Sequence, residues 1–392
     1  MRHAQKRRQD GRARKHFLTW LVCAFVVGGL GLQARGDEKG ARWTEKKAAE
    51  WYAAQPWLVG SNYNPATAIN ELEMWQAETF DARRIDLELG WAESIGLNTT
   101  RVFLHDLLWE QDAEGFRKRV DTFLQIAAKH RIKPIFVLFD SCWDPDPKVG
   151  KQHAPVPGVH NSGWAQSPGA KALQDASQYP RLEAYVKGVV GAFAKDDRVL
   201  AWDIWNEPDN GNGGSYPESE AKNKIGLVLA LLPRAFAWAR AAHPTQPLTS
   251  GVWKGDWSAA ENLGPGEKIQ LTLSDVISFH NYDKAEEFEK RVLWLEQYHR
   301  PILCTEYMAR GNGSTFQGTL PVAKKYNVAA INWGLVAGKT QTYLPWDSWQ
   351  HPYVDREPAV WFHEIFRGNG EAYSKDEVAL IRELTGRGGP SK

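Results

Sequence analysis

The feature that most constrains this chain is an alternation repeated eight times. Each unit has a short run of aliphatic, β-branched and aromatic residues, a polar loop, and usually a segment with apolar residues three and four apart. The candidate strands are Trp57–Asn62, Asn98–Leu104, Pro134–Phe139, Leu200–Trp205, Leu248–Val252, Asp275–His280, Pro301–Thr305 and Val328–Trp333. Helical spacing is seen over Asp81–Ile95, Gly115–His130, Pro180–Ala194, Lys222–Ala242, Lys284–Tyr298 and Pro358–Phe366. Runs that are apolar throughout suit strands buried on both faces, and helices between them call for parallel neighbours. No glycine-rich dinucleotide loop follows the first strand. Eight such units therefore favour a closed (β/α)8 barrel over a doubly wound sheet. The expectation is an α/β protein with one barrel domain over residues 40–392, in which residues 374–386 form an extra C-terminal helix.

The segment before residue 40 reads differently. Residues 1–16 carry seven Lys/Arg, Phe17–Leu32 is almost wholly apolar, and Ala34-Arg35-Gly36 leads into charged sequence. A basic leader, an apolar stretch and a small-residue exit describe a secretory signal over residues 1–36, with an uncleaved N-terminal anchor as the alternative. A secreted or periplasmic location follows, with no membrane association once the signal is cleaved. The whole chain has a net charge of +1, and residues 1–36 hold eight basic residues against Asp10, so the remainder stands at −6. An acidic exported protein has no charge-based reason to bind nucleic acid. Only Cys142 and Cys304 lie beyond the leader, which excludes a cysteine-rich scaffold. His153 and His160 have no third ligand at a recognisable spacing, so no metal site and no cofactor are expected. The chain also has 19 Trp. Trp is useful as an exposed flat face, which invites a carbohydrate or aromatic ligand, although a Trp-rich core accounts for the number equally well.

A barrel places its chemistry at the C-terminal ends of its strands. Those ends read Asn62-Tyr63-Asn64, Arg101 with His105-Asp106, Asp140-Ser141-Cys142-Trp143, Asn206-Glu207-Pro208, Trp253, His280-Asn281-Tyr282, Glu306-Tyr307 and Trp333. Polar groups directly after buried apolar runs are costly unless partnered. Glu207 ends the fourth strand and Glu306 the seventh, so the two acids face each other across an eight-stranded barrel. Hydrolysis of an acetal needs a proton delivered to the leaving oxygen and a second carboxylate opposite. A separation of about 5–5.5 Å gives a covalent intermediate and retention, whereas about 6.5–9.5 Å leaves room for water and gives inversion.

Taken in order, Arg101 in Gly-Leu-Asn-Thr-Thr-Arg-Val, the Asn206-Glu207-Pro208 triplet, His280-Asn281-Tyr282, Glu306 and Trp333 resemble the clan A glycoside hydrolases, and most closely the cellulase-like family 5. The likeness runs from about residue 55 to 367. It implies a retaining β-glycosidase with Glu207 as general acid/base and Glu306 as nucleophile. Arg101 and the Tyr282 hydroxyl would stabilise and aim Glu306, Asn206 would hold the sugar 2-hydroxyl, His280 would bond near the acid or the sugar, and Trp333 would form the floor under the ring. Where many family members have a His after strand 3, this chain has Asp140 through Trp143. Asp140, or His105 and Asp106 after strand 2, are then expected to supply that contact, with Trp143 also expected to bind substrate. The substrate stays open among β-mannan, cellulose, xylan and other β-linked glycans, bound by a monomer. A non-catalytic carbohydrate-binding barrel is the alternative reading. The long loop after strand 3 and the one after strand 8 (Gly334–Glu357) are expected to wall off one end of the cleft, which would favour exo-action.

Overall fold

The computed structural model describes residues 40–387. The expected signal segment lies outside these residues. Eight parallel strands are present: β1 (Val59–Asn62), β2 (Thr99–Phe103), β3 (Lys133–Asp140), β4 (Ala201–Asn206), β5 (Leu248–Thr249), β6 (Ile277–Asn281), β7 (Ile302–Tyr307) and β8 (Ala329–Asn332). They hydrogen-bond in the order β5-β4-β3-β2-β1-β8-β7-β6. A parallel bridge between Val252 and Phe279 joins β5 to β6 and closes the ring. Every strand residue except Lys133 is buried, as strands with helices outside and packed side chains inside require. The (β/α)8 expectation holds, with strand limits moved by a few residues.

Local chemistry explains several details. At Gly60 a Cβ would lie 2.3 Å from the Thr99 carbonyl oxygen, so only glycine lets β1 approach β2 this closely. Asp81, Thr315 and Ser374 cap the helices Ala82–Ser94, Phe316–Lys325 and Lys375–Leu384 by accepting from backbone N–H groups of their first turns. The register of β6 shifts between Phe279 and His280, which sets His280 opposite Glu306 on β7.

Two differences from the sequence reading concern helices. Glu45–Ala53, Pro265–Leu273 and Phe316–Lys325 are helical without having been marked by periodicity. They are short, and Pro321 interrupts the last pattern. Conversely, the helix expected over Pro358–Phe366 is absent. The Arg310 guanidinium takes the carbonyls of Trp361, His363 and Glu364, and the Ile365 and Phe366 N–H groups both bond the Leu335 carbonyl. The groups that would form a helical ladder are thus bonded across the chain. The C-terminal helix Lys375–Leu384 packs on Phe316–Lys325, and Thr385 reaches the Ile95 carbonyl. Among the described residues no helix is long and apolar enough to cross a membrane.

Candidate active site

The polar end of the barrel is organised by one guanidinium. Arg101, on β2, is fully buried. Its Nε donates to Asp203 (2.9 Å), one terminal nitrogen donates to Glu306 Oε1 (2.8 Å) and Asn62 Oδ1 (3.0 Å), and the other to Asn206 Oδ1 (2.8 Å). A planar fork with five N–H donors is the side chain able to hold four partners from three strands at once.

Glu306, at the end of β7, also accepts from the Tyr282 hydroxyl at 2.7 Å. Glu207 follows β4 with φ +43°, a left-handed conformation uncommon for residues other than glycine. Its Oε2 accepts from Asn210 Nδ2 (2.7 Å) and lies 3.6 Å from the Cys142 sulfur. His280 Nδ1 lies 3.0 Å from Glu207 Oε1 and 3.4 Å from Glu306 Oε2. A carboxylate oxygen of each glutamate and the His280 nitrogen all fall within 4.8 Å of one another.

Burial pushes both carboxyls above their ordinary range, and each raises the cost of charging the other. Their surroundings are unequal. Glu306 has a guanidinium and a phenol hydroxyl bonded directly to it, whereas Glu207 has an amide, a thiol and an imidazole. Burial also lowers His280 to about 4, so this ring is neutral and the charge at Arg101 settles on Glu306. A single proton shared by this pair therefore belongs on Glu207.

Both glutamates open into a cavity of about 430 Å³ with six tryptophans in its lining, Trp143, Trp164, Trp253, Trp333, Trp346 and Trp349. The volume suits a small ligand of one or two rings, and the lining is apolar with a few convergent polar groups. Two loops build one wall. The His160 N–H donates to Ser348 Oγ, the Asn161 N–H to the Thr340 carbonyl, and the Tyr353 N–H to the Gly158 carbonyl. Gln341 Nε2 bonds the carbonyls of Val156 and Val159. The loops after β3 and β8 are thus fastened together.

The sequence-derived residues divide into two groups. Glu207, Glu306, Asn206, Tyr282, Trp143 and Trp333 line the cavity, and Arg101 and His280 bond to the two glutamates. Asp140 also lines it, and its oxygens accept from Asn206 Nδ2, the Cys142 N–H and Trp164 Nε1. His105 and Asp106 are placed elsewhere. His105 bonds the Gln166 carbonyl and the Leu107 N–H, and Asp106 bonds Ser167 and Arg181, so both tie the β3 loop to the barrel. Their expected contact with a ligand is corrected accordingly. Cys142 and Cys304 are unpaired and buried. His153 is exposed, while His160 is in the cavity wall. Asn161, Asn210, Asn212 and His363 also line the cavity and were not singled out. They sit in irregular loops, where no periodicity reports orientation.

A closed parallel barrel with two glutamates facing each other over a Trp-lined cavity at its strand ends defines a glycoside hydrolase architecture. The family model for cellulase (glycosyl hydrolase family 5) matches residues 158–351. Over those residues the chain is similar to that family of glycoside hydrolases. Similar solved structures include GH5_18 from Streptomyces cattleya in complex with GlcNAc (TM-score 0.56, 12% identity, 84% of this chain and 80% of that one). The endo-beta-1,4-mannanase from Thermotoga petrophila is similar at TM-score 0.53 and 13% identity, with 84% of this chain and 76% of that one covered. The exo-beta-1,4-mannosidase Op5Man5 from Opitutaceae bacterium strain TAV5 gives 0.53 and 18%, with 84% of this chain and 59% of that one covered. No curated protein matches the chain in sequence.

Proposed function

We propose that the chain is an exported, exo-acting β-glycosidase that retains anomeric configuration, with residues 40–392 as its single catalytic domain. The observation that carries this reading is the closeness of the two carboxylates, whose nearest oxygens lie within 4.8 Å across the cavity. That closeness supports the retaining arrangement of nucleophile and acid, since an inverting pair stands about 6.5–9.5 Å apart.

In the proposed first step Glu306 attacks the anomeric carbon as the glycosidic C–O bond breaks, and the Glu207 proton passes to the leaving oxygen. In the second step Glu207 takes a proton from water, the water oxygen attacks the anomeric carbon, and Glu306 is released. Arg101 and Tyr282 keep Glu306 ionised and aimed. Neutral His280 holds Glu207 by its Nδ1. Asn206, fixed by Arg101 and Asp140, is set to hold the sugar 2-hydroxyl, and Trp333 provides the floor. Trp143 and Trp253 flank the chain segment of Glu207, on the leaving-group side.

The fastened loops make the cleft a pocket, which supports removal of terminal sugars. Among β-linked sugars, mannosides come first, because similar structures bear mannanase and mannosidase names. The basic and apolar leader supports export.

The test has three arms. Proton NMR of the first-formed sugar should show the β-anomer, and an α-anomer would reject the nucleophile. A time course on a long glycan should release small sugars from the outset, and early random scission would reject exo-action. Glu207→Gln should lose about 10²- to 10⁴-fold on glycans yet far less on an aryl glycoside with an acidic leaving group. Because burial raises both carboxyls, activity should fall on the acid side as Glu306 is protonated and on the alkaline side as Glu207 loses its proton. Both limbs should lie above the ordinary carboxylate range, and Glu207→Gln should erase the alkaline one.

A further inference from the structure

We propose that His363, in the loop after β8, is a specificity-determining residue, its Nε2 accepting a hydrogen bond from a hydroxyl of the sugar held against Glu306. This rests on the reading of Glu207 and Glu306 as a glycosidase pair. His363 is fully buried and lines the cavity. Its Nδ1 bonds the Met308 carbonyl, and a carbonyl only accepts, so Nδ1 carries the proton and Nε2 the lone pair. Nε2 has no partner among the described residues.

The surroundings keep the ring in that form. The His160 ring faces it at 5.5 Å, and the Arg310 guanidinium bonds its own carbonyl. Desolvation, with these two neighbours, holds His363 well below the ordinary histidine range, so it stays an acceptor. The ring stands edge-on to Tyr282 at 5.6 Å, and the Tyr282 hydroxyl donates to Glu306. His363 thus adjoins the side chain that bonds the nucleophile, and the hydroxyl assigned to Nε2 is one of the ring held there.

A second group points the same way. Asn161 is also buried, lines the same cavity from the partner loop, and has an unpaired Oδ1. Two buried acceptors without donors are unfavourable in the empty protein and are matched by a ligand rich in O–H groups. A site built on such a bond discriminates strongly against an analogue that lacks the hydroxyl.

The test is a cycle of one variant against one missing hydroxyl. Wild type and His363→Phe are compared on p-nitrophenyl β-mannoside and its monodeoxy analogues. One deoxy analogue should cost wild type about 10- to 100-fold in kcat/KM, and His363→Phe should cost about as much on the parent sugar. On that same analogue the variant should add no further loss, because the two changes remove one bond. Parent-like kinetics of His363→Phe, or losses that multiply for every analogue, would overturn the assignment. Covalent labelling of Glu306 by a 2-deoxy-2-fluoro glycoside reports that the variant's site is assembled. If His363→Phe does not fold, His363→Leu supplies the same cycle. A wild type that neither turns over an aryl glycoside nor is labelled overturns the reading of the carboxylate pair, and this inference with it; a labelled, active wild type with no non-additive pair overturns this inference alone.

Discussion

The two ends of one barrel are built on opposite terms. At the C-terminal ends of the strands, Arg101, Asp203, Asn206, Glu207, His280 and Glu306 are buried together, and each is bonded to another of the set. At the N-terminal ends the interior holds Ile135, Ala201, Leu303, Ala329 and Ile331. That end is closed by Trp43, Ala48 and Tyr52 from the segment before β1. The same strands pass through both ends. The lower plug stabilises by removing apolar area from water. The upper layer buries charge that is tolerable only while every partner is present, and it is the layer that can do chemistry.

Substitutions at either end test this division. Glu306→Gln should remove turnover by about a thousandfold or more while circular dichroism and the melting temperature stay close to wild type. Loss of fold in place of activity would put Glu306 on the structural side. Trp43→Ala, at the opposite end, should lower unfolding free energy in denaturant titration by about 3 kcal/mol with kcat unchanged. A fall in kcat measured well below the melting temperature would show that the ends are coupled. Arg101→Lys keeps the charge but cannot fork to four acceptors, so kcat should drop about a hundredfold with a smaller change in KM.

The smallest effect belongs to Glu364. It is buried beside Thr342, and burial raises its carboxyl to about 8. A raised carboxyl favours the fold most fully below the unfolded-state value, and that contribution is lost as pH rises through about 8. Glu364→Gln should therefore melt like wild type near pH 4 and above it at pH 9. Equal pH dependence of the two melting curves would show that Glu364 is charged in the fold.

Much of the upper end was legible in the sequence. Glu207, His280 and Glu306 each follow or end an apolar run and Arg101 lies inside one, and a polar group there has one direction in which to find partners. His105 and Asp106 carry the same signal and point elsewhere. The difference is that Ser167, Gln166 and Arg181, some 60 to 75 positions away, satisfy them. His363 was hidden for the converse reason. Its segment has helical spacing, but Arg310 withdraws the carbonyls that spacing would use.

By itself the sequence determined the number of strands, their parallel arrangement and which two glutamates stand at facing ends, because burial along a short segment is written in its own periodicity. Only the tertiary structure decided the walled pocket, the partners of Asp140 and the His363 nitrogen left without one among the described residues. Those depend on bonds such as that from the His160 N–H to Ser348, 188 positions apart, and no local pattern encodes a hydrogen bond at that distance.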